Sequence, residues 1–512
     1  MKLSSPAPVS FSSLRFWMLI LGGICLIFQV IKAATTGLWW DEALILKPIS
    51  SMLAGEGWKA MGVLFHEGIS TGPALLIPGL LLSWLTHGPV PPLLHLLALS
   101  HLLLLFFGWK RWGVTYFEAA VILGIYLIIV TLSPKLYITH FLGEFPGSVW
   151  FLLGAWLAFS PIKNRLQLQW AGIFFMLSIL SKFIFIMPIA TSLFAWLLFQ
   201  RIHPFTRKFW TFFFKLALGA LVPCSFWVLF QWQQYGNLVG MQEGYLRWLN
   251  LILHGDNGAG LQQSSQAGGL IKPMRMIFQD VQGLMISGTA PILVLGWLAF
   301  QVFSIRQAWK DRKPSASLCI AVGSTSVLAW WVFLSRFGGG GALFRHVSPV
   351  IWIGLGAMCR DWFFFRGMSR LNQNHGYPVL GALLSLGLTG VLGFRSYQYV
   401  FEHKGLGLYS SWYHQNQIQK WIITNSTTEN PVPVLNCTAD GHVWYSNVYL
   451  PLASLTPPDR YFVLEPCRLP SGSLQSSRFL VGIEAHHLND FDRGLLTLVD
   501  GSWDGQGLYQ IK

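Results

Sequence analysis

Apolar runs near 16–34, 92–109, 114–132, 147–161, 166–181, 183–200, 209–230, 287–304, 316–335, 346–360 and 378–397 leave this chain few ways to fold. Each approaches the roughly 20 residues that a helix needs to cross a bilayer. Within hydrocarbon every backbone N–H and C=O must be satisfied inside its own segment, so such runs become helices. The expectation is an α-helical polytopic membrane protein of about 11 transmembrane helices. Hydrophobic residues make up 53% of the 512 and charged residues only 11%, which excludes a water-soluble surface over most of the chain.

The net charge of +14 would suggest nucleic acid in a soluble protein. Here the basic residues fall between apolar runs: Lys2/Arg15, Lys110-Arg111, Lys163/Arg165, Arg201/Arg207/Lys208, Arg306/Lys310/Arg312/Lys313 and Arg360/Arg366/Arg370. All six clusters lie on one side of the predicted spans, the cytoplasmic side by the positive-inside rule. That pattern describes membrane loops and no nucleic-acid partner. The other side then receives 35–91, 133–146, the tight connection 181–183, 231–286, 336–345 and everything after 397. The leftover run from Gly72-Pro73-Ala74 to Leu85, broken by Pro78 and Gly79, reads as a helix lying in or re-entering from the outer interface. The first run is read as an uncleaved helix, because Asp41-Glu42 and many further spans follow it.

After Tyr397 the chain turns polar, with turn signals at Asn425-Ser426 and Pro457-Pro458 and a β-rich run at Tyr461-Phe462-Val463-Leu464. The domains expected are a membrane domain, 1–398, and a soluble external α/β or β domain, 399–512. Cys437 and Cys467 fall in the latter, either as a disulfide or as two free thiols. No P-loop, CxxC pair or dinucleotide fingerprint is present, and Gly338-Gly339-Gly340-Gly341, with no Lys-Ser/Thr after it, reads as a flexible external loop.

Carboxylates are scarce: eleven occur before residue 400. A charge within the hydrocarbon costs roughly 3 kcal/mol on insertion scales, so those at the bilayer edge are site candidates. Asp41-Glu42, behind Trp39-Trp40, follows the first span, and Glu144, in Leu142-Gly143-Glu144-Phe145-Pro146-Gly147, precedes the fourth. Each also reads as an acidic residue at a helix N-terminus. Two separate external loops thus present carboxylates at one membrane depth.

In this arrangement the chain resembles the GT-C membrane glycosyltransferases, particularly the branch of the protein O-mannosyltransferases and the lipid A aminoarabinose transferase. The residues carrying the likeness are Trp40-Asp41-Glu42-Ala43, then His66 and Gly72-Pro73-Ala74-Leu75-Leu76, then Gly143-Glu144-Phe145-Pro146, Leu180-Ser181-Lys182-Phe183 and Arg345-His346-Val347-Ser348-Pro349. It covers about 10–400 and departs from the branch in having Glu144 for Asp and His346 for Tyr. The resemblance implies a GT-C-like bundle and transfer of a sugar, with inversion, from a polyprenyl-phosphate donor to a glycan, lipid or protein acceptor outside the membrane.

Residue chemistry runs in the same direction. An acceptor must lose a proton as it attacks, for which Asp41 is the general base; Glu144 orients donor or acceptor, and Glu42 holds sugar hydroxyls or fixes its loop. Lys182 and Arg345 are the cations for the phosphate, with His346 assisting and His66 lining the cavity. Competing structural readings are a snorkelling Lys182, an interface-anchoring Arg345 and interfacial structural roles for His66 and His346. Gln242-Glu243-Gly244-Tyr245 and Trp248 are candidates for a sugar-contacting lid. No cofactor is expected to be essential, although paired acids can take a divalent cation; Glu484, His486, His487, Asp490 and Asp492 in the tail have metal-capable side chains but read as a solvated turn. A transporter or flippase of lipid-linked sugars would bury ionisable groups at mid-membrane, and a non-catalytic assembly protein would dispense with Asp41 and Glu144. The expected location is the bacterial inner membrane, with Asn425-Ser426-Thr427 leaving a secretory-pathway membrane open.

Overall fold

The computed structural model describes residues 14–38, 40–53, 55, 73–111, 115–132, 138–160, 164, 166–200, 202–203, 205–235, 302, 306, 316–335, 352–354, 377–404, 411–437, 452, 454–464, 479–483, 485, 488–503 and 506–512. The chain divides into two compact units, one of Met1–Gln29, Thr71–Leu75 and Ala98–Gly393, the other of Val30–Ser70, Leu76–Leu97 and Phe394–Lys512. Its helices are α1 (Leu14–Thr35), α2 (Trp40–Leu53), α3 (Pro73–Leu85), α4 (Pro91–Leu99), α5 (His101–Arg111), α6 (Tyr116–Leu132), α7 (Glu144–Phe159), α8 (Gln167–Ser181), α9 (Ile186–Phe199), α10 (Arg207–Tyr235), α11 (Ala316–Ser335), α12 (Tyr377–Val400) and α13 (Trp412–Asn425).

Among the described residues, Leu14–Thr35, Pro91–Lys110, Arg207–Leu229 and Val379–Val400 are long and apolar enough to cross a membrane. The predicted run 92–109 is divided at Ser100 into α4 and α5. Runs 287–304 and 346–360 fall almost wholly outside the described residues, as does Gly338-Gly339-Gly340-Gly341. α3 holds the Pro78-Gly79 stretch in 13 residues; at 1.5 Å per residue it rises only roughly 20 Å, short of a hydrocarbon core. Trp210, Phe214, Leu221 and Phe226 on α10 and Leu383, Leu386 and Val391 on α12 are exposed. These apolar faces are what lipid covers, and the chain is an integral membrane protein.

In the first unit α7 packs on α8, α8 on α10 and α9 on α11. Hydrocarbon offers helices no hydrophobic reason to associate, so close backbone approach at small residues supplies the contact. Gly172 lies against the Leu216 carbonyl and Gly219 against that of Gln169, while Gly154 seats the Phe175 ring. An aromatic chain runs from Trp109 through Tyr126 and Phe145 to Trp352, with centroids 6.3, 6.5 and 5.7 Å apart. A methyl at Gly219 would meet backbone, which cannot swing aside. Gly219→Ala is therefore expected to cost about 1–3 kcal/mol, read as a lower melting midpoint in detergent, whereas Gly387→Ala, with open space around it, leaves the midpoint in place.

The second unit carries the tail, whose sheet has the order β2-β1-β3-β5-β4. β1 (Val432–Asn436) pairs in parallel with β2 (Tyr461–Leu464) and β3 (Phe479–Ile483), and β5 (Gln506–Ile511) runs antiparallel to β3 and to β4 (Leu496–Trp503). Central β1 is buried at all five residues, as a parallel strand covered on both faces must be. Val432 and Val434 meet Ile418 and Ile422 of α13 on one face, and Leu435 meets Leu480 and Leu488 on the other. Ser411 caps α13 by accepting the His414 N–H. Cys437 is disulfide-bonded, and Cys467 lies outside the described residues. The fold is thus a helical membrane bundle with a small C-terminal α/β sheet.

Candidate functional site

The acidic pair of the first loop belongs to the second unit. Sequence reading left this region as loop, but α2 begins at Trp40 and buries Glu42, Ala43, Leu46 and Ile49, one face of a 3.6-residue helix. Asp41 is the second residue of α2; its side chain is not among those described. Glu42 is fully buried, and its Oε1 lies 3.0 Å from Nε2 of His95 on α4. The other ring nitrogen, Nδ1, is 3.2 Å from the carbonyl of Ala33 on α1.

A backbone carbonyl only accepts, so His95 Nδ1 donates to Ala33. The side chains of His95 and Glu42 are 1% and 0% exposed. Glu42 is engaged with protein, which favours the loop-fixing role over the grip on sugar hydroxyls. Lys32, in the last turn of α1, is also buried.

The first unit holds the second-loop acid. Glu144 is the first residue of α7, whose N-cap is Gly143 with no side-chain capping bond. Gly143 lies against the Ser181 carbonyl at the end of α8, a contact that any side chain there would block. Ser178 Oγ donates to the Gly147 carbonyl (2.7 Å), and Ser148 Oγ to that of Glu144 (2.7 Å). α8 stops at Ser181, Lys182 is extended (φ −160°, ψ 130°), and a 3-10 turn, Phe183–Phe185, leads into α9. This corner sets Lys182 Nζ on Glu144 Oε1 as an ion pair, with side chains 13% and 2% exposed. Glu144 also stands in the first turn of α7, the helix-start position read from the sequence.

Two pairs are thus brought together, Glu42–His95 and Glu144–Lys182. His66, Arg345 and His346 lie outside the described residues, as do Gln242, Glu243, Gly244, Tyr245 and Trp248. In the tail, Asp492 N–H donates to Asn489 Oδ1 (2.7 Å) in a helix cap and Asp490 faces Arg493 at 3.7 Å, while Glu484, His486 and His487 are outside the described residues. Sequence reading passed over His95, Lys32 and the buried His140 of the first unit. Two of them carried a signal: His95 and Lys32 are ionisable groups within runs otherwise read as apolar spans, which marks a functional position by default.

The helical bundle with its small C-terminal sheet has counterparts among solved structures. Two solved structures are similar to it over nearly their whole length. Both are of ArnT, a GT-C lipid A aminoarabinose transferase, from Cupriavidus metallidurans. In the form bound to undecaprenyl phosphate the TM-score is 0.53 at 11% identity, covering 97% of this chain and 98% of that one. In the apo form it is 0.52 at 12% identity, covering 96% and 97%. No family model matches the sequence, and no curated protein matches it. At such identities the likeness is one of fold.

Proposed function

We propose that the chain is an inverting glycosyltransferase that moves a sugar from a polyprenyl-phosphate donor to a glycan, lipid or protein acceptor on the extracytoplasmic face of a bacterial inner membrane. The observation that carries this reading is the full-length fold likeness to a protein bound to undecaprenyl phosphate. In a membrane enzyme working beyond the reach of nucleotide sugars, a lipid phosphate is both carrier and leaving group. Its departure needs cations, and Lys182 is the one we assign to this role.

Asp41 is the base in this scheme, taking the proton of the acceptor as the anomeric carbon is attacked. Lys182 has three N–H donors, of which Glu144 takes one; the ammonium is thereby aimed and kept from wandering, ready for a phosphate oxygen. Arg345 and His346 complete the phosphate cradle and His66 lines the cavity. Glu42, bonded to His95, holds the first turn of α2. Residues 399–512 form the external domain.

The test is consumption of a panel of radiolabelled polyprenyl-phosphate sugars by the purified protein in lipid nanodiscs. Release of polyprenyl phosphate with transfer or slow hydrolysis of one sugar is the expected result. A transporter of lipid-linked sugars would also bury ionisable groups, as Glu42 and His95 are buried, and would leave every donor intact. Acid and cations suffice for this chemistry, so transfer is expected to survive EDTA with less than about a twofold loss; abolition by EDTA and recovery on adding back a divalent ion would assign a metal to the reaction.

A further inference from the structure

Within the second unit, the stretch that carries the acidic pair is gripped on both sides by the C-terminal domain. Upstream, Gln415 of α13, itself 6% exposed, uses both ends of its carboxamide on one residue: Oε1 accepts the Leu38 N–H at 2.8 Å and Nε2 donates to the Leu38 carbonyl at 3.0 Å. The amide group imitates a neighbouring β-strand, and beside it Thr36 forms a β-bridge with Ser411. Downstream, Ser454 Oγ donates to the Ala43 carbonyl at 3.0 Å, and the Ser454 carbonyl accepts from Ser50 Oγ at 2.8 Å. Leu38 precedes Asp41 by three residues and Ala43 follows it by two, so the backbone of Trp40, Asp41 and Glu42 runs between two fixed points.

From this geometry we propose that Gln415 and Ser454 are positioning residues: the C-terminal domain sets the place and direction of the α2 start, and through it the acid that takes the acceptor proton. The proposal rests on the glycosyl-transfer reading above. Neither residue touches the donor phosphate in that reading, so their loss acts on the chemical step. A misplacement of about 1 Å at a reacting group costs on the order of 100-fold in rate.

Gln415→Leu keeps the bulk of the side chain and removes both hydrogen bonds. In nanodiscs it is expected to lower kcat about 100-fold with KM for the polyprenyl-phosphate sugar within about threefold. Hydrogen exchange of a peptide spanning 37–43 speeds up in the same variant, while exchange in β1 and β3 keeps the parent rate. Arg460→Met, which removes a bond from Arg460 to the Ser426 carbonyl inside the domain (2.8 Å), leaves kcat and the 37–43 peptide unchanged. If Gln415→Leu unfolds the domain, Ser454→Ala, one hydroxyl smaller, carries the comparison with the same expected split. Faster exchange at 37–43 with kcat untouched overturns the positioning role; unchanged exchange overturns the clamp itself. A parent that consumes no donor removes the glycosyl-transfer reading, a result separate from both.

Discussion

Asp41→Asn is expected to lower sugar transfer by about 100- to 10,000-fold while the protein melts at the parent temperature. Asparagine matches aspartate in size, so the helix start and its flanking bonds at Leu38 and Ala43 persist. What disappears is the capacity to accept a proton from the acceptor. Donor hydrolysis falls with transfer if water enters as the acceptor does, and donor KM stays near that of the parent, because the proposed base acts on the acceptor and not on the donor phosphate. Near-parent transfer by a well-folded Asp41→Asn variant would remove Asp41 from the chemistry and leave the acid at α2 as a helix-start residue.

The second large effect is on stability and separates pairing from catalysis. Lys182→Met takes the cation away from a Glu144 side chain only 2% exposed, and stripping one partner from such a pair costs about 3–5 kcal/mol. The double variant Glu144→Gln/Lys182→Met removes the buried charge as well and is expected to recover most of that loss. Transfer is expected to stay depressed in both if Lys182 is the cation for the donor phosphate, as proposed. A double variant with restored melting and restored transfer would make the pair purely structural. The measurements are thermal melting in detergent and donor turnover in nanodiscs.

The fold was legible where lipid physics is local. The runs 166–181 and 316–335 are α8 and α11 almost to the residue, because an uninterrupted apolar segment in hydrocarbon has one backbone solution. The extent of α2 was missed, although buried positions 42, 43, 46 and 49 have helical spacing and Asp41-Glu42 also read as an acidic helix start, because the segment after it was taken as external loop. In the tail the Tyr461–Leu464 run was visible, but its parallel pairing with Val432–Leu435 across an intervening segment is not a local property.

The site was half legible for a related reason. Glu144 and Lys182 both stood out as ionisable residues at span ends, yet that one would neutralise the other depends on a bare glycine, Gly143, pressing on the Ser181 carbonyl. His95 went unnoticed in Pro91-Pro92-Leu93-Leu94-His95 because the run was read for its apolarity. Glu42 was read as holding sugar hydroxyls or fixing its loop, and in the structure its Oε1 lies 3.0 Å from that histidine.

The grip of the C-terminal domain on α2 also orders events in time. Gln415 lies 377 residues after Leu38 and Ser454 lies 411 after Ala43, so at a synthesis rate of about 5–20 residues per second the acid waits roughly 20–80 s for its holders to be made. A ribosome that stops within the membrane helices leaves a chain inserted in the bilayer but without that anchorage. The Leu38 and Ala43 contacts thus form only once translation has run past residue 454, and an abortive fragment lacks them.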